Sequence, residues 1–281
     1  MTRALIVGAS SPLGEAVRNA FTADGHEVVG ASRSGGDGSR IIDVTDPGSV
    51  LSLLRDVRPS VVVYLARPEL PSDLNCAGAA IETALDALRR FAIAARDEGA
   101  ERLLFASSSA VYGTESSEPR EEEDETPAPG TYAQLKLWSE EVLAELSSNR
   151  GLATLALRIF NVYGPGFHQS LVNRLQEAAG GGDPPTIFPT DLFVRDYVHS
   201  SDVAAAFVAA AVSPAPFQRV INVGTGVGTG NLALTSLIPK ARWVEGPPLD
   251  RPSVCVANTS RLRDLLGEAP PPRLLQPFSP P

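Results

Sequence analysis

Residues 4–17, Ala4-Leu5-Ile6-Val7-Gly8-Ala9-Ser10-Ser11-Pro12-Leu13-Gly14-Glu15-Ala16-Val17, decide how the rest of the chain is read. Four apolar residues run directly into a glycine, the pattern of a buried strand that stops at a turn. Beyond the turn a helix is expected over 15–24, because Leu13, Val17, Ala20 and Phe21 recur on one face. Gly8 allows the tight turn, and Gly14, with no side chain, lets helix and sheet approach closely. The open N–H groups at the helix start would then face a pyrophosphate. The usual pattern has a middle glycine, and Ser11 stands in its place. Glycine pairs are common in loops, so the weight rests on strand and helix flanking this pair in the right order.

Outward from this stretch the first half keeps the same rhythm. Apolar runs at 27–30, 61–65 and 103–106 read as further buried strands, with helical patterns at 49–57 and 81–98 between them. Such alternation signifies βαβ units with right-handed crossovers, so helices cover both faces of a parallel sheet. The expected fold class is α/β, a doubly wound parallel sheet of Rossmann type with a smaller C-terminal substrate-binding region. Residues 114–130 break the rhythm; the acids of 121–125 followed by Pro127 and Pro129 read as an exposed, solvated loop. A helix over 132–146 follows, with Leu135, Trp138, Val142 and Leu146 on one face, then a strand at 155–160. After Gly164 the chain turns loop-rich. A helix is expected at 203–212 with Ser201 or Asp202 as its cap, a strand at 220–223 and a short helix at 258–266. Residues 1–164 are assigned to a dinucleotide-binding domain. Residues 165–281 form mainly the substrate-binding region, with 196–226 returning to the first domain and 270–281 a flexible, proline-rich tail.

The 281 residues are 43% hydrophobic and 20% charged, enough apolar content for a sizeable core. A formal net charge of −9 argues against DNA or RNA as a partner, since such binding rests on clustered basic charge. No apolar run approaches the roughly 20 residues of a membrane span. Residues 5–8 are too short for the apolar core of a signal peptide. Cys76 and Cys255 make no disulfide framework, and His26, His168 and His199 make no zinc pattern, so no metal is expected. A soluble cytoplasmic protein is the expectation that remains.

The second strand ends in Ala31-Ser32-Arg33-Ser34. A carboxylate here would bond both hydroxyls of a ribose, whereas a hydroxyl and a guanidinium suit a 2′-phosphate. Ser32 and Arg33 therefore favour NADP(H). NAD(H) stays open because Asp37, on the Gly-rich loop that follows, could supply the acid, and a solvated Arg33 is the plainer alternative. Asp43, next to Val44, either receives an adenine amino group or caps the next turn. Further on, Tyr132 and Lys136 stand at i and i+4 and share a helix face. A nearby ammonium stabilises a phenolate and lowers a tyrosine pKa from about 10, making Tyr132 a proton donor or acceptor near neutral pH. The alternative is a surface pair. Ser107, Ser108 and Ser109 directly follow a strand, at the end of the sheet where open α/β proteins place ligands.

Five stretches now stand in order: residues 8–14, Ser107-Ser108-Ser109-Ala110-Val111-Tyr112-Gly113, Tyr132-Ala133-Gln134-Leu135-Lys136, Leu157-Arg158-Ile159-Phe160-Asn161-Val162-Tyr163-Gly164-Pro165-Gly166 and Arg195-Asp196-Tyr197-Val198-His199. Through most of its length the chain resembles the extended short-chain dehydrogenases/reductases, also called the NAD-dependent epimerase/dehydratase family. The last two stretches are similar to those of members acting on nucleotide-diphosphate sugars. The resemblance implies that Tyr132 is the general acid/base, that Lys136 holds the nicotinamide ribose and lowers the tyrosine pKa, and that Ser108 is the catalytic hydroxyl, with Ser109 second. It implies a cofactor bound by Gly8, Ser10, Ser11, Pro12, Leu13 and Gly14, with Leu65, Ala66 and Arg67 at the end of the fourth strand. Asn161 and Arg195 resemble residues that grip the substrate diphosphate. Arg251 is similar in place to another such ligand, although Ser253 and Val254 replace its usual Gly and Asp companions. Ser109 and Ala110 stand where the 4,6-dehydratases carry an Asp-Glu pair, which disfavours dehydration. Tyr64-Leu65-Ala66-Arg67 replaces the usual His-Leu-Ala-Ala, leaving Arg67 either a phosphate contact or a solvent-facing side chain.

The reading that follows is an NADPH-dependent ketoreductase of a nucleotide-diphosphate-linked keto-deoxysugar. Hydride would attack the ketone carbon, Tyr132 would protonate the developing alkoxide and Ser108 would polarise the same oxygen. The alternative is a nucleotide-sugar epimerase that retains NAD. A non-catalytic NADP-sensing protein is third, because that class typically loses the Tyr or the Lys. The resemblance also implies a homodimer joined by a four-helix bundle, with Leu137 and Trp138 at the seam or in the core.

Overall fold

Buried side chains alternate along strand β1 (Arg3–Val7): Ala4 and Ile6 join one core, Leu5 and Val7 the other. A strand buried on both faces lies inside a sheet covered on both sides. In this computed structural model the described residues are 2–36, 38–68, 74–114, 116, 118–188, 190, 192–214, 219–247, 251–268, 270 and 273, with backbone alone at 74–76 and 148–150. Asp37 lies outside them, as do the side chain of Cys76 and, apart from Pro270 and Arg273, the tail 270–281.

After β1 come α1 (Pro12–Ala23), β2 (Glu27–Ser32), β3 (Arg40–Ile41), α2 (Pro47–Val57), β4 (Val61–Tyr64), α3 (Leu74–Asp97) and β5 (Arg102–Ser108). A single 3₁₀ turn (Ser109–Tyr112) precedes α4 (Gly130–Arg150), β6 (Ala153–Ile159), β7 (Asn161–Tyr163), α5 (Leu171–Ala179) and β8 (Thr186–Ile187). The chain continues through β9 (Phe193–His199), α6 (Ser200–Val212), β10 (Val220–Val223), β11 (Gly228–Gly230), α7 (Asn231–Leu237), β12 (Val244–Glu245), β13 (Ser253–Cys255) and α8 (Ser260–Leu266).

Seven strands form one parallel sheet in the order β10-β6-β5-β4-β1-β2-β3. Val17 and Phe21 of α1, Phe207 of α6 and Leu262 of α8 cover one face. Leu54 of α2, Phe91 of α3 and Leu143 of α4 cover the other. Each such side chain contributes about 1.5–3 kcal/mol on burial. This is the doubly wound α/β sheet expected from the sequence. β1 pairs with β2 on one side and β4 on the other, so the winding reverses there and a crevice opens beyond the strand ends. A second sheet is centred on β9, which pairs with β13, β11 and β7.

Several local expectations are corrected. Helix α1 begins at Pro12, because Ser11 caps it and proline pre-sets the first helical φ. The cap of α6 is His199, whose Nδ1 accepts from the Ser201 N–H at 3.2 Å, in place of Ser201 or Asp202. Trp138 is 41% exposed, off the buried face of α4. The acidic loop is more than solvated. The Glu122 side chain is 5% exposed and its Oε1 accepts from the Asn222 N–H at 2.9 Å, while Arg261 of α8 pairs with Glu123. Among the described residues no helix is long and apolar enough to cross a membrane, and no group of three or more His, Cys, Asp and Glu could hold a metal.

Candidate active site

A cleft of about 650 Å³ fills the crevice at the ends of β1 and β4. Gly8 closes β1 with φ at +94°, and a Cβ there would stand 2.9 Å from Ala66 N and from the Leu65 carbonyl carbon. A Cβ on Gly14 would stand 2.4 Å from the Gly8 oxygen. Strand, turn and helix are thus held at a distance only hydrogen can fill. Ser11 Oγ accepts from the Gly14 N–H at 3.0 Å and donates to the Gly8 oxygen at 2.9 Å. The residue that replaces the middle glycine therefore serves as the helix cap.

Of the residues assigned to the cofactor, Gly8, Ser10, Ser11, Ser32, Arg33, Asp43, Val44, Leu65, Ala66, Arg67 and Lys136 line this cleft. Pro12, Leu13 and Gly14 form the first turn of α1 behind it. Ser32 is 3% exposed, and its Oγ has no hydrogen-bond partner among the described residues. An unpaired buried hydroxyl costs about 1–3 kcal/mol, which a ligand hydroxyl or phosphate offsets. Together with the glycine cradle and the helix start, this orphaned group fits a dinucleotide. Asp43 both lines the cleft and caps a turn: its Oδ1 accepts from the Thr45 hydroxyl at 2.7 Å and the Thr45 N–H at 2.9 Å. Those bonds hold its carboxyl below the usual range.

Lys136 is buried on α4. Its Nζ donates to the Ala106 oxygen at 2.6 Å and stands 4.7 Å from the Phe105 ring centroid and 5.8 Å from that of Tyr132. Burial first, then the Arg67 charge, holds this ammonium down at about 8. Tyr132, one turn earlier, is 37% exposed and is not among the residues that line the cleft. Ser108 ends β5 and caps the 3₁₀ turn, its Oγ accepting from the Ala110 N–H at 3.2 Å. Ser107 is directed elsewhere: its hydroxyl donates to Glu140. Glu140 in turn faces Arg158 at 2.8 Å, and Arg158 Nη1 donates to the Tyr112 hydroxyl at 2.8 Å. Burial pushes Tyr112 up to about 12.

Two of the residues assigned to the substrate, Asn161 of β7 and Arg195 of β9, lie on the second sheet. Asn161 Nδ2 donates to the Asp196 backbone oxygen at 3.4 Å. Arg195 stacks 3.8 Å from the Phe193 ring centroid and bonds to Ser253 of β13. Ser109 is buried beside the Cys255 thiol, which burial pushes up. Arg251 is exposed two residues before β13. Sequence reasoning missed the α3 wall of the cleft, made by Ala79, Ala80, Thr83 and Ala84. Their three- and four-residue spacing marks one helix face and was the available signal.

The fold and cleft are those of the extended short-chain dehydrogenases/reductases. A profile of the NAD dependent epimerase/dehydratase family matches residues 4–224; the chain belongs to this family and is an enzyme of it. It is 29% identical over 303 residues to the UDP-glucose 4-epimerase of Mycolicibacterium smegmatis, covering 95% of this chain and 93% of that protein. It is 30% identical to the UDP-glucose 4-epimerase of Lacticaseibacillus casei over 67% of this chain and 62% of the other. The solved structure of Thermus thermophilus UDP-glucose 4-epimerase in complex with NAD is similar at a TM-score of 0.80 and 25% identity, covering 93% of this chain and 92% of that one.

Proposed function

We propose that the protein is a nucleotide-sugar epimerase that keeps a nicotinamide cofactor through its catalytic cycle. The observation that carries this reading is the Tyr132–Lys136 pair of α4: Lys136 lines the cleft, anchored to β5, with its Nζ 5.8 Å from the Tyr132 ring centroid. The epimerases similar to this chain move the epimerase reading ahead of the ketoreductase first expected from the sequence. When bound, NAD supplies a reversible hydride acceptor. Tyr132 takes the proton of a sugar hydroxyl and returns it. Lys136 supplies positive charge beside the phenol and donates to the nicotinamide ribose. Ser108, whose oxygen already accepts from Ala110, keeps its own O–H to donate to the sugar oxygen. Asn161, Arg195 and Arg251 serve the diphosphate. In this reading 165–281 is mainly substrate-binding, with 196–226 returning to the dinucleotide-binding domain. The protein is a cytoplasmic homodimer that pairs through α3 and α4; exposed Trp138 supports the seam, while Leu137 packs inward against the Tyr112 cluster.

A second reading, an NADPH-dependent ketoreductase of a keto-deoxysugar, is favoured by one observation. Ser32 ends β2 and Arg33 follows it, both lining the cleft, and a hydroxyl with a guanidinium suits a 2′-phosphate. Mass spectrometry of the cofactor released from purified protein separates the two. The epimerase reading expects retained NAD and interconversion of a UDP-hexose without net consumption of added cofactor. Protein purified empty that consumes NADPH in proportion to product would overturn it in favour of the reductase.

A further inference from the structure

We infer that Ser253 is a positioning residue for the substrate diphosphate, holding Arg195 so that one edge of its guanidinium is left to meet a phosphate. The inference rests on the proposed nucleotide-sugar reading and deepens it at one residue. Strand β13 runs parallel to β9, with Ser253 opposite Phe193 and Cys255 opposite Arg195. From β9 the Arg195 side chain lies over the Phe193 ring and reaches Ser253, 58 residues away in sequence. Nη1 donates to the Val194 oxygen at 2.9 Å and to the Ser253 oxygen at 2.6 Å, and Nη2 donates to Ser253 Oγ at 2.9 Å.

A guanidinium carries five N–H donors in one plane. Three are engaged here, two on Nη1 and one on Nη2. The remaining two, on Nε and Nη2, share the opposite edge, and among the described residues neither has a partner. Two parallel donors on one edge match the oxygens of a phosphate. Charge points the same way. Arg195 is partly buried with no carboxylate beside it among the described residues, since the adjacent Asp196 turns to Thr225, Gly226 and Ala257. A partly buried cation without a counter-charge is stabilised by an incoming anion. The position borders the end of β5, because Cys255, opposite Arg195, lies beside Ser109, the neighbour of Ser108.

The hydroxyl of Ser253 is the distinguishing atom. A glycine, the usual companion at this place by family resemblance, would keep the carbonyl contact to Nη1 and lose the one to Nη2. The guanidinium could then rotate, and its conformational freedom would be lost on binding rather than already on folding.

The test compares binding of UDP and UMP by calorimetry in wild type, Ser253→Ala, Ser253→Gly and Ser253→Thr, with retained cofactor measured as a check on folding. Ser253→Ala and Ser253→Gly are expected to lose about fivefold of the preference for UDP over UMP, and Ser253→Thr to keep it within about twofold. In an Arg195→Ala background Ser253→Ala should change nothing further, because the two act as one unit. An unchanged preference in Ser253→Ala, equal weakening of UDP and UMP, or an undiminished effect without Arg195 would overturn the inference alone. Wild-type protein that binds neither nucleotide would overturn the proposed function and the inference with it.

Discussion

The cofactor cleft and the rim around β9 meet at the same end of the sheet but are built from different materials. The cleft is made by backbone at close range, as Gly8, Ser11 and Gly14 define its floor within seven residues. The rim is made by side chains from distant parts of the chain. Arg195 meets Ser253 across 58 residues, Asp196 meets Ala257 across 61, and behind them Tyr112 meets Asn222 across 110. The first kind of region fails when an atom is added, the second when one is removed.

The strongest way to break this contrast is to remove a buried charge from the side-chain network. Arg158 and Glu140 are each 6% exposed and 2.8 Å apart. Glu140→Ala should cost about 3–5 kcal/mol in urea unfolding, since it strands a buried guanidinium. A loss below about 1 kcal/mol would show that the network does not hold β6 to α4. The converse test adds one carbon to the cleft. Gly14→Ala places a Cβ 2.4 Å from the Gly8 oxygen, so stability should fall by about 1–3 kcal/mol and cofactor binding with it. Normal binding in that variant would mean the turn is softer than the contrast requires.

The pH dependence of stability sharpens the contrast at Lys136, which lines the cleft and interacts with Glu140 of the buried side-chain network. Lys136 is held down at about 8, chiefly by burial and then by Arg67, while Glu140 pulls it upward. An unfolded lysine titrates near about 10.4, so between these values the unfolded chain binds more protons. Stability of the cofactor-free protein should therefore rise from about pH 8 to about 10.4, and this contribution is absent once pH falls below the folded value. Lys136→Met should remove the rise, and Arg67→Ala should move its start to higher pH; a rise unchanged in both would contradict the assignment. The smallest effect belongs to Ser11→Ala, which should lower stability by about 1 kcal/mol through the lost cap, read as a modest drop in Tm.

The same contrast explains what the sequence made legible. Strands β1, β4 and β5 and the turn at Gly8 follow from local rules, because apolar runs and glycine conformations depend on near neighbours. Ser11 as a cap was open to the same logic, since a serine before proline at a helix start is itself a signal. The role of Glu122 was not, because its partner Asn222 lies 100 residues on and no periodicity links them. His199 as the cap of α6 was hidden because Ser201 and Asp202, stronger caps by preference, stand beside it. Ser107, Ser108 and Ser109 look equivalent in sequence. Tertiary contacts divide them: Ser107 meets Glu140, Ser108 caps a turn and Ser109 meets Cys255.

The central claim is that Tyr132 moves the substrate proton at the edge of an intact cofactor cleft. It is tested by assaying Tyr132→Phe on a UDP-hexose that wild type interconverts, with bound cofactor quantified in the same sample. The account predicts turnover lower by about 10²–10⁴-fold with cofactor occupancy unchanged. Turnover within about twofold of wild type would contradict it.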